Sequence, residues 1–499
     1  MADSYNPDID IDEYSFSRGR GGRRHGTGRT GRRSWRGHGS GERGNERSRG
    51  GTMVRGSGTT WMFGARGGRN APTRDSLERQ PMGDLLGTIT LTELRPSVHF
   101  KDTTLTITDC QYVASYNWLN GQKATILVPG APPVWSPPKD RPKLQEDKDT
   151  YFRDPNAARY PQFPTEPAIR AVFALHPDFD TAAIDVVGCG STMGNLIRFA
   201  NSDERTFRFY IEVVGNTVFL VRKESSPTEV IEGVHGYGHT FPEAYTSWEA
   251  DVKNSVSHQR LIQYVFGGLR CLVRCESDGY LKDHVHSESQ WLPTSSNSSG
   301  HSRDDGLPSL LHAAKSIAVG EKVPNKTVDL SVRSAGHQVP QTAIFDLKTR
   351  SARREIDMEE MYPRLWVSQI PNFIIAYHNS GQFNDIQVQD LGDRIHNWEK
   401  RNRDLLHRFN QILRQLIGFA KQSECHKVEV RRIAMGPLQI RKQSEDCWNV
   451  LPPDLKAKWA GRPISENHEP NTSISTREET TEIVSDGDED DGLDDYLRF

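Results

Sequence analysis

The stretch that decides the fold is residues 267–278, GGLRCLVRCESD. Apolar residues recur at every second position along it, which is the period of a β-strand. That period divides the strand into two faces, with Leu269, Cys271, Val273 and Cys275 on one and Leu272, Arg274, Glu276 and Asp278 on the other. We therefore expect the carboxylates of Glu276 and Asp278 to project side by side from the end of the strand.

A second predicted strand, residues 342–349 (TAIFDLKT), carries a similar arrangement. Its alternation places Asp346 and Lys348 on one face, while Phe345 and Leu347 pack on the other. If the two strands are neighbours, the carboxylates of both and one lysine converge.

Carboxylates at close range repel one another unless a cation lies among them, and hard oxygen ligands suit Mg²⁺ or Mn²⁺. A lysine beside them can orient a metal-bound water or help to deprotonate it. These residue types predict metal-assisted hydrolysis of a phosphodiester. Each triplet alone is also common at solvated strand ends, so the prediction depends on both occurring in this order. The candidate catalytic residues are Glu276, Asp278, Asp346 and Lys348.

An ordered series of motifs resembles the DXO-type decapping exoribonucleases of the PD-(D/E)XK nuclease superfamily. That family carries G-x-x-F-E, then E-h-D, then E-h-K-T, and residues 238–243, 276–278 and 346–349 resemble the three motifs in this order. Residues 365–369 (LWVSQ) and 371–377 (PNFIIAY) resemble the W-x-Q helix and the apolar strand that follow in the family. The chain thus resembles a divergent, fungal-type member over roughly its middle half.

The resemblance implies an α+β fold with a mixed central β-sheet flanked by helices, and disordered termini. It implies a metal-dependent RNA 5′-end hydrolase, of decapping, pyrophosphohydrolase or 5′→3′ exoribonuclease type, that uses Mg²⁺ or Mn²⁺. Lys348 would position the attacking water, and Gln369 and Arg274 would bind the substrate. The carried-over metal ligands are Glu243, Glu276, Asp278 and Asp346.

Three departures from the family pattern leave a second hypothesis open. The family's basic R-G-x-x-T-K segment is replaced here by residues 189–196 (CGSTMGNL), with no basic residue before Arg198. Asp346 stands where the family has glutamate, and one extra residue precedes Glu243. The alternative is a catalytically degenerate RNA-binding or scaffold protein on the same fold.

The formal net charge of −3 over 499 residues hides a strongly polarised chain. Residues 18–69 hold 14 arginines and two acids, whereas residues 478–495 hold 10 acids and no basic residue. Arginine with glycine cannot form a packed core but can bind the phosphates and bases of single-stranded RNA. We therefore predict RNA as a partner of the Arg/Gly-rich arm. The resemblance adds a 5′→3′ exonuclease as a further candidate partner.

Composition sets the predicted domain boundaries. We predict a disordered arm over residues 1–80, a nuclease-like domain over 81–425 with a disordered insertion at 281–340, and an acidic disordered tail over 426–499. No apolar run is long enough for a membrane helix, so no membrane partner is expected. The six cysteines form no CxxC pair, which favours a reducing compartment. The family resemblance implies the nucleus in preference to the cytoplasm.

Local patterns predict four further elements. A helix is expected over residues 167–177, and a hairpin is expected from strands 207–214 and 217–221 around Gly215-Asn216. Residues 242–266 look mainly helical. The apolar spacing over residues 386–422 predicts one long amphipathic helix.

Overall fold

The structure, a computed structural model, describes residues 82–94, 105–121, 123–231, 234–285, 329–433, 436–443 and 448–461. The strands are β1 (Leu85–Ile89), β2 (Ile107–Leu119), β3 (Thr125–Gly130), β4 (Val134–Trp135), β5 (Val186–Cys189), β6 (Phe207–Val214), β7 (Thr217–Arg222), β8 (Thr246–Ser247), β9 (Ser255–Phe266), β10 (Leu269–Ser277), β11 (Gly279–Tyr280), β12 (Ser331–Gly336), β13 (Ile344–Ser351), β14 (Asn372–Asn379), β15 (Gln382–Asp390), β16 (Lys427–Arg432) and β17 (Leu438–Lys442). The helices are α1 (Pro155–Arg159), α2 (Glu166–Leu175), α3 (Gly190–Ala200), α4 (Thr240–Tyr245), α5 (Met358–Ser368), α6 (Gly392–Arg401), α7 (Arg403–Gln422) and α8 (Pro453–Trp459).

The strands form two mixed sheets, in agreement with the predicted α+β class. The larger has eleven strands in the order β1-β17-β16-β6-β7-β5-β10-β9-β2-β3-β12, and the smaller has six in the order β15-β14-β13-β11-β4-β8. Helices pack against these sheets, for example α2 on β2 and β3 and α5 on β10. No helix among the described residues is long and apolar enough to cross a membrane.

Strand β10 alternates as its sequence predicts. Cys271 and Val273 are buried in one apolar cluster together with Trp366 of α5, whereas Leu272 is buried in a second cluster on the opposite face of the sheet. The hairpin of β6 and β7 is also confirmed, and Gly215 in its turn has a φ of +61°, a conformation that glycine adopts without strain.

Residues 242–266 are the clearest error of the sequence interpretation. Only α4 and a single 3₁₀ turn at Ala250–Val252 are helical there, and β9 fills residues 255–266 between β10 and β2. Nearly every residue of β9 is buried because both of its faces are covered. The buried residues of β9 include polar ones such as His258 and Arg260, so the strand has no regular alternation of apolar and polar residues by which periodicity could identify it.

The helix predicted over residues 386–422 is two helices preceded by a strand. Residues 386–390 belong to β15, and Asn402 separates α6 from α7 while its side chain donates to the carbonyl of Trp398 at 2.9 Å. The helix predicted at 167–177 is confirmed as α2.

The folded part of the chain extends beyond the predicted boundary at residue 425. Strand β16 lies between β6 and β17 in the large sheet, and α8 follows, so residues 427–459 belong to the domain rather than to a tail. Within the predicted insertion, β12 pairs in parallel with β3. The arm at residues 1–80, most of the insertion and the acidic run at 478–495 lie outside the described residues.

The chain passes from the large sheet to the small one at Asp278. Strand β10 ends at Ser277 in the large sheet, and Gly279 begins β11, which pairs with β13 in the small sheet. A Cβ at Gly279 would meet the Phe345 ring and the carbonyl oxygen of Pro133, so the two strands approach closely here. This crossing brings the end of β10 to the start of β13.

Candidate active site

Asp278, Asp346 and Lys348 come together at the crossing between the sheets. The Asp278 Oδ2 atom accepts a hydrogen bond from the backbone N–H of Leu347 at 2.7 Å. Asp346 and Lys348 lie on the opposite face of β13 from Phe345 and Leu347, which are buried in an apolar cluster of the small sheet. Three of the four predicted catalytic side chains are therefore neighbours.

The two aspartates interact unfavourably with each other. Burial and the nearby Asp346 carboxylate raise the pKa of Asp278 well above its usual value. Asp346 forms an ion pair from Oδ2 to Nη2 of Arg364 at 2.7 Å, whereas its buried Oδ1 atom accepts no hydrogen bond. A buried carboxylate oxygen without a donor is costly, so this atom is a natural ligand for a cation.

Lys348 is only 9% exposed and has an altered acidity. Burial lowers its pKa to about 8, and the charge of Arg364 acts in the same direction. The amine is therefore partly neutral at slightly alkaline pH, and it can accept a proton or hold a water molecule.

Glu276, Glu243, Gln369 and Arg274 lie in other surroundings. Glu276 lines a pocket next to the aspartate pair, and its charge acts on Tyr116 and Arg159. Glu243 is exposed on α4. Gln369 caps α5 and donates from Nε2 to the carbonyl of Trp366 at 2.6 Å, and Arg274 donates to the carbonyl of Pro164 at 3.3 Å while lining the pocket.

The predicted cluster of four carboxylates is not formed. Among the residues that the structure describes, no group of three or more Asp, Glu, His or Cys side chains is placed to hold a metal ion. Strand β10 does not continue straight through Asp278 as the alternation predicts, because the chain changes sheets at that residue. Glu276 and Asp278 therefore belong to different surroundings.

The Asp278–Asp346 pair nevertheless fits a single divalent cation. Mg²⁺ is often held by one or two carboxylates together with waters and substrate phosphates. The Asp346 Oδ1 atom accepts no hydrogen bond. Burial, and then the charge of Asp346, raises the pKa of Asp278, and a cation between the two carboxylates would offset the second effect. These two carboxylates suit one Mg²⁺ or Mn²⁺ ion, and they do not supply enough ligands for a second metal ion.

A pocket that is open to solvent adjoins this pair and is rich in arginine. Arg198 of α3, Arg274 of β10 and Arg364 of α5 line it, together with the acids Asp154 and Glu276. Arg364, which lines the pocket and pairs with Asp346, is not among the site residues predicted from the sequence. Its only signal in the sequence is a basic residue directly before the buried run Leu365–Ser368 of α5.

Comparison with solved structures finds Rai1 and Dxo1 proteins. The chain is similar to Scheffersomyces stipitis Rai1 in complex with (3′-NADP)⁺ and calcium ion, at 10% identity and a TM-score of 0.46 over 77% of this chain and 99% of that one. It is similar to Candida albicans Rai1 in complex with pU5-Mn²⁺, at 10% identity and a TM-score of 0.44 over 75% and 98%. It is similar to K. lactis Dxo1 in complex with manganese, at 9% identity and a TM-score of 0.40 over 74% of this chain and 98% of that one.

No curated protein matches the sequence. Residues 89–458 match a family described as a domain of unknown function, and they span all elements from the end of β1 to α8. The chain therefore belongs to the family named Domain of unknown function (DUF8563).

Proposed function

We propose that the protein is a divalent-metal-dependent hydrolase that cleaves a phosphodiester or pyrophosphate bond at the 5′ end of RNA. The observation that carries this proposal is the convergence of Asp278, Asp346 and Lys348 beside an arginine-lined pocket. Carboxylates, an amine of lowered pKa and guanidinium groups are the residue types that hydrolysis of a phosphate ester requires.

Each side chain has a distinct role in the proposed reaction. Asp278 and Asp346 hold the cation, which when bound supplies positive charge to the scissile phosphate and lowers the pKa of water. Lys348, with a pKa of about 8, accepts a hydrogen bond or a proton from the attacking water in its neutral form. The pocket arginines orient the phosphate groups through paired N–H donors.

RNA is the proposed substrate because of the Arg/Gly-rich arm. The 14 arginines of residues 18–69 provide charge and stacking surfaces that suit a single strand irrespective of its sequence. The arm would hold the RNA near the site, so its removal should weaken binding most at low salt.

The test measures product release from 5′-labelled RNAs that carry a monophosphate, a triphosphate or a cap, with Mn²⁺ and with chelator. Wild-type protein should release product only with the metal. Asp278→Asn and Lys348→Met should each lower the rate at least about a hundredfold, as expected for loss of a charge-stabilising or proton-transferring group. A chain lacking residues 1–80 should retain the rate at saturating RNA and need more RNA to reach it.

The matched control is Arg401→Gln, which removes an exposed ion pair with Glu359 at the surface of α6. This variant should hydrolyse RNA like the wild type, since surface pairs contribute little. Equal activity in wild type and Asp278→Asn, or no product from any 5′ end, would contradict the proposal.

The second candidate is an RNA-binding scaffold without catalysis. The ion pair between Arg364 and Asp346 favours it, because a guanidinium group already compensates the carboxylate that a cation would need. RNA binding without metal-dependent product release, and with no measurable Mn²⁺ affinity, would support this candidate.

A further inference from the structure

Arg364 lies between the arginine-lined pocket and the aspartate pair. Its side chain is 14% exposed, it lines the pocket, and its Nη2 atom is 2.7 Å from Asp346 Oδ2. Its charge also reaches Arg198 and Lys348, whose pKa values it lowers. One guanidinium group therefore contacts both parts of the proposed site.

The pocket has a surplus of positive charge. Three arginines from three separate elements face two acids across it, and these residues are Arg198, Arg274, Arg364, Asp154 and Glu276. Burial and the nearby charges of Arg205 and Arg364 lower the pKa of Arg198 to about 9, so it remains protonated at pH 7. Two neighbouring, partly desolvated guanidinium groups are stabilised by a shared anion, for which a phosphate has the right geometry.

Arg364 and a divalent cation compete for the same carboxylate. Asp346 offers only two oxygens, and Arg364 takes one of them while the other accepts no hydrogen bond. A doubly charged ion on Asp346 would repel a guanidinium group held at ion-pair distance from the same carboxylate. Cation affinity should therefore rise when Arg364 turns to another anion.

We propose that Arg364 is a positioning residue that couples the pocket to the aspartate pair: an anion in the pocket draws its guanidinium group from Asp346, and that carboxylate then binds the divalent cation. This inference rests on the proposed function and deepens it, because substrate phosphate would be the anion. Anion and cation would then bind cooperatively, and each would raise the affinity for the other by the same factor.

The experiment measures Mn²⁺ affinity of the full chain by electron paramagnetic resonance, with and without saturating inorganic sulfate, after correction for Mn²⁺ bound by free sulfate. In the wild type, sulfate should raise Mn²⁺ affinity by about fivefold or more. Arg364→Gln should bind Mn²⁺ more tightly than the wild type without sulfate and should lose the sulfate effect. Arg364→Lys keeps the charge and should restore part of it.

Sulfate binding in the presence of chelator gives an independent readout. Asp346→Asn should bind sulfate more tightly than the wild type because Arg364 has lost its competing partner, whereas Arg364→Gln should bind it more weakly. Arg401→Gln serves as the control and should match the wild type in both titrations. Damage to the fold would weaken binding in every variant, so the opposite signs are specific to the proposed coupling.

The outcomes separate this inference from the proposed function. Weaker or unchanged Mn²⁺ binding in Arg364→Gln, or an undiminished sulfate effect, overturns the coupling even if the wild type hydrolyses RNA. No Mn²⁺ binding by the wild type also overturns it. Coupling without any hydrolysis would support this inference while the proposed catalytic function fails.

Discussion

At the scale of single residues, Asp278 and Asp346 carry the same group but differ in their surroundings. Asp346 pairs with Arg364, and Asp278 accepts one backbone hydrogen bond from Leu347. Asp346→Asn should therefore lower the free energy of unfolding by roughly 3 kcal/mol, because it leaves a largely buried guanidinium group without its counter-charge. Urea denaturation of the variant and the wild type at pH 7 measures the difference.

Asp278→Asn should have the opposite tendency. An asparagine keeps an oxygen for the Leu347 N–H group, and it removes a carboxyl group whose pKa is raised by burial and then by the charge of Asp346. Its unfolding free energy should equal or exceed that of the wild type although its proposed activity is lost. If both substitutions lowered the free energy of unfolding equally, the ion pair between Arg364 and Asp346 would not explain the effect.

His258 is a buried histidine whose hydrogen bonds define its protonation. Both hydrogens of the Asn117 Nδ2 group are donated, to the carbonyl of Ala131 and to Ser255, so Asn117 Oδ1 must accept from His258 Nδ1. The buried Nε2 atom has no partner. Burial, and then the charge of Arg260, lowers the pKa of His258 well below 6.5, so the folded protein holds this ring neutral.

This neutral ring predicts acid sensitivity. Below pH 6.5 His258 takes up a proton in the unfolded chain but not in the folded one. The free energy of unfolding should therefore fall as the pH falls. A difference of one bound proton contributes at most about 1.4 kcal/mol per pH unit. His258→Gln should remove that contribution to the slope between pH 7 and pH 5.5. Identical slopes for variant and wild type, measured by urea denaturation, would show that the ring does not titrate differently in the two states.

Sequence patterns predicted the orientation of the site residues on β13, but they did not predict the residue of α5 that contacts them. Alternation correctly assigned Asp346 and Lys348 to one face and Phe345 and Leu347 to the other, since a strand with one apolar face has a period of two. Arg364 was missed because helical spacing predicts which residues of a helix are buried. It does not predict which carboxylate a buried arginine side chain contacts. Its role depends on a contact between α5 and β13 that no local pattern contains.

At the scale of elements, the close approach of β11 and β13 depends on Gly279. Gly279→Ala should lower the free energy of unfolding by about 1–3 kcal/mol, because its Cβ would overlap the Phe345 ring and the Pro133 carbonyl. The displaced strand should also shift Asp278, so the proposed activity should fall. Thermal denaturation and the RNA assay measure the two effects.

The matched control is Gly418→Ala in α7, where a Cβ would meet nothing within 4 Å. Alanine has the higher helix propensity, so this variant should gain about 0.5–1 kcal/mol and keep its activity. A stability loss at Gly418 as large as that at Gly279 would mean that close approach is not the cause.

Elements marked by a turn signal or a helical period were predictable, and a strand without either signal was not. The β6–β7 hairpin and α2 have clear turn or helical signals and were found. Strand β9 was taken for a helix because burial on both faces removed its alternation. The break at Asn402 was missed because the apolar spacing continues from α6 into α7.

At the scale of the whole molecule, residues after 425 complete the large sheet. Glu212 of β6 is 1% exposed, accepts a hydrogen bond from the Val450 N–H group at 2.6 Å and forms an ion pair with Lys456 at 2.5 Å. Strand β16 pairs with β6 along its whole length. The composition-based boundary failed because charged residues such as Glu429 and Arg431 are buried in this strand.

A chain that ends at residue 461 should fold cooperatively, and one that ends at residue 425 should not. The shorter chain would leave the Glu212 carboxylate buried without its partners and expose the edge of β6, at a cost of several kcal/mol. Circular dichroism with urea denaturation distinguishes the two, and a cooperative transition of equal midpoint in both chains would contradict the extended domain.

The crossing at Asp278 has a consequence for how such proteins diverge. Because Asp278 links the large sheet to the small one, while Asp346 and Lys348 belong wholly to the small one, a small rotation of one sheet against the other would separate the aspartates without changing either residue. Substitutions in the packing between the sheets would therefore abolish or restore the proposed hydrolysis in related proteins that keep all the motif residues. In proteins with this fold, an intact set of motif residues and an intact arrangement of the two aspartates can therefore be lost independently of each other.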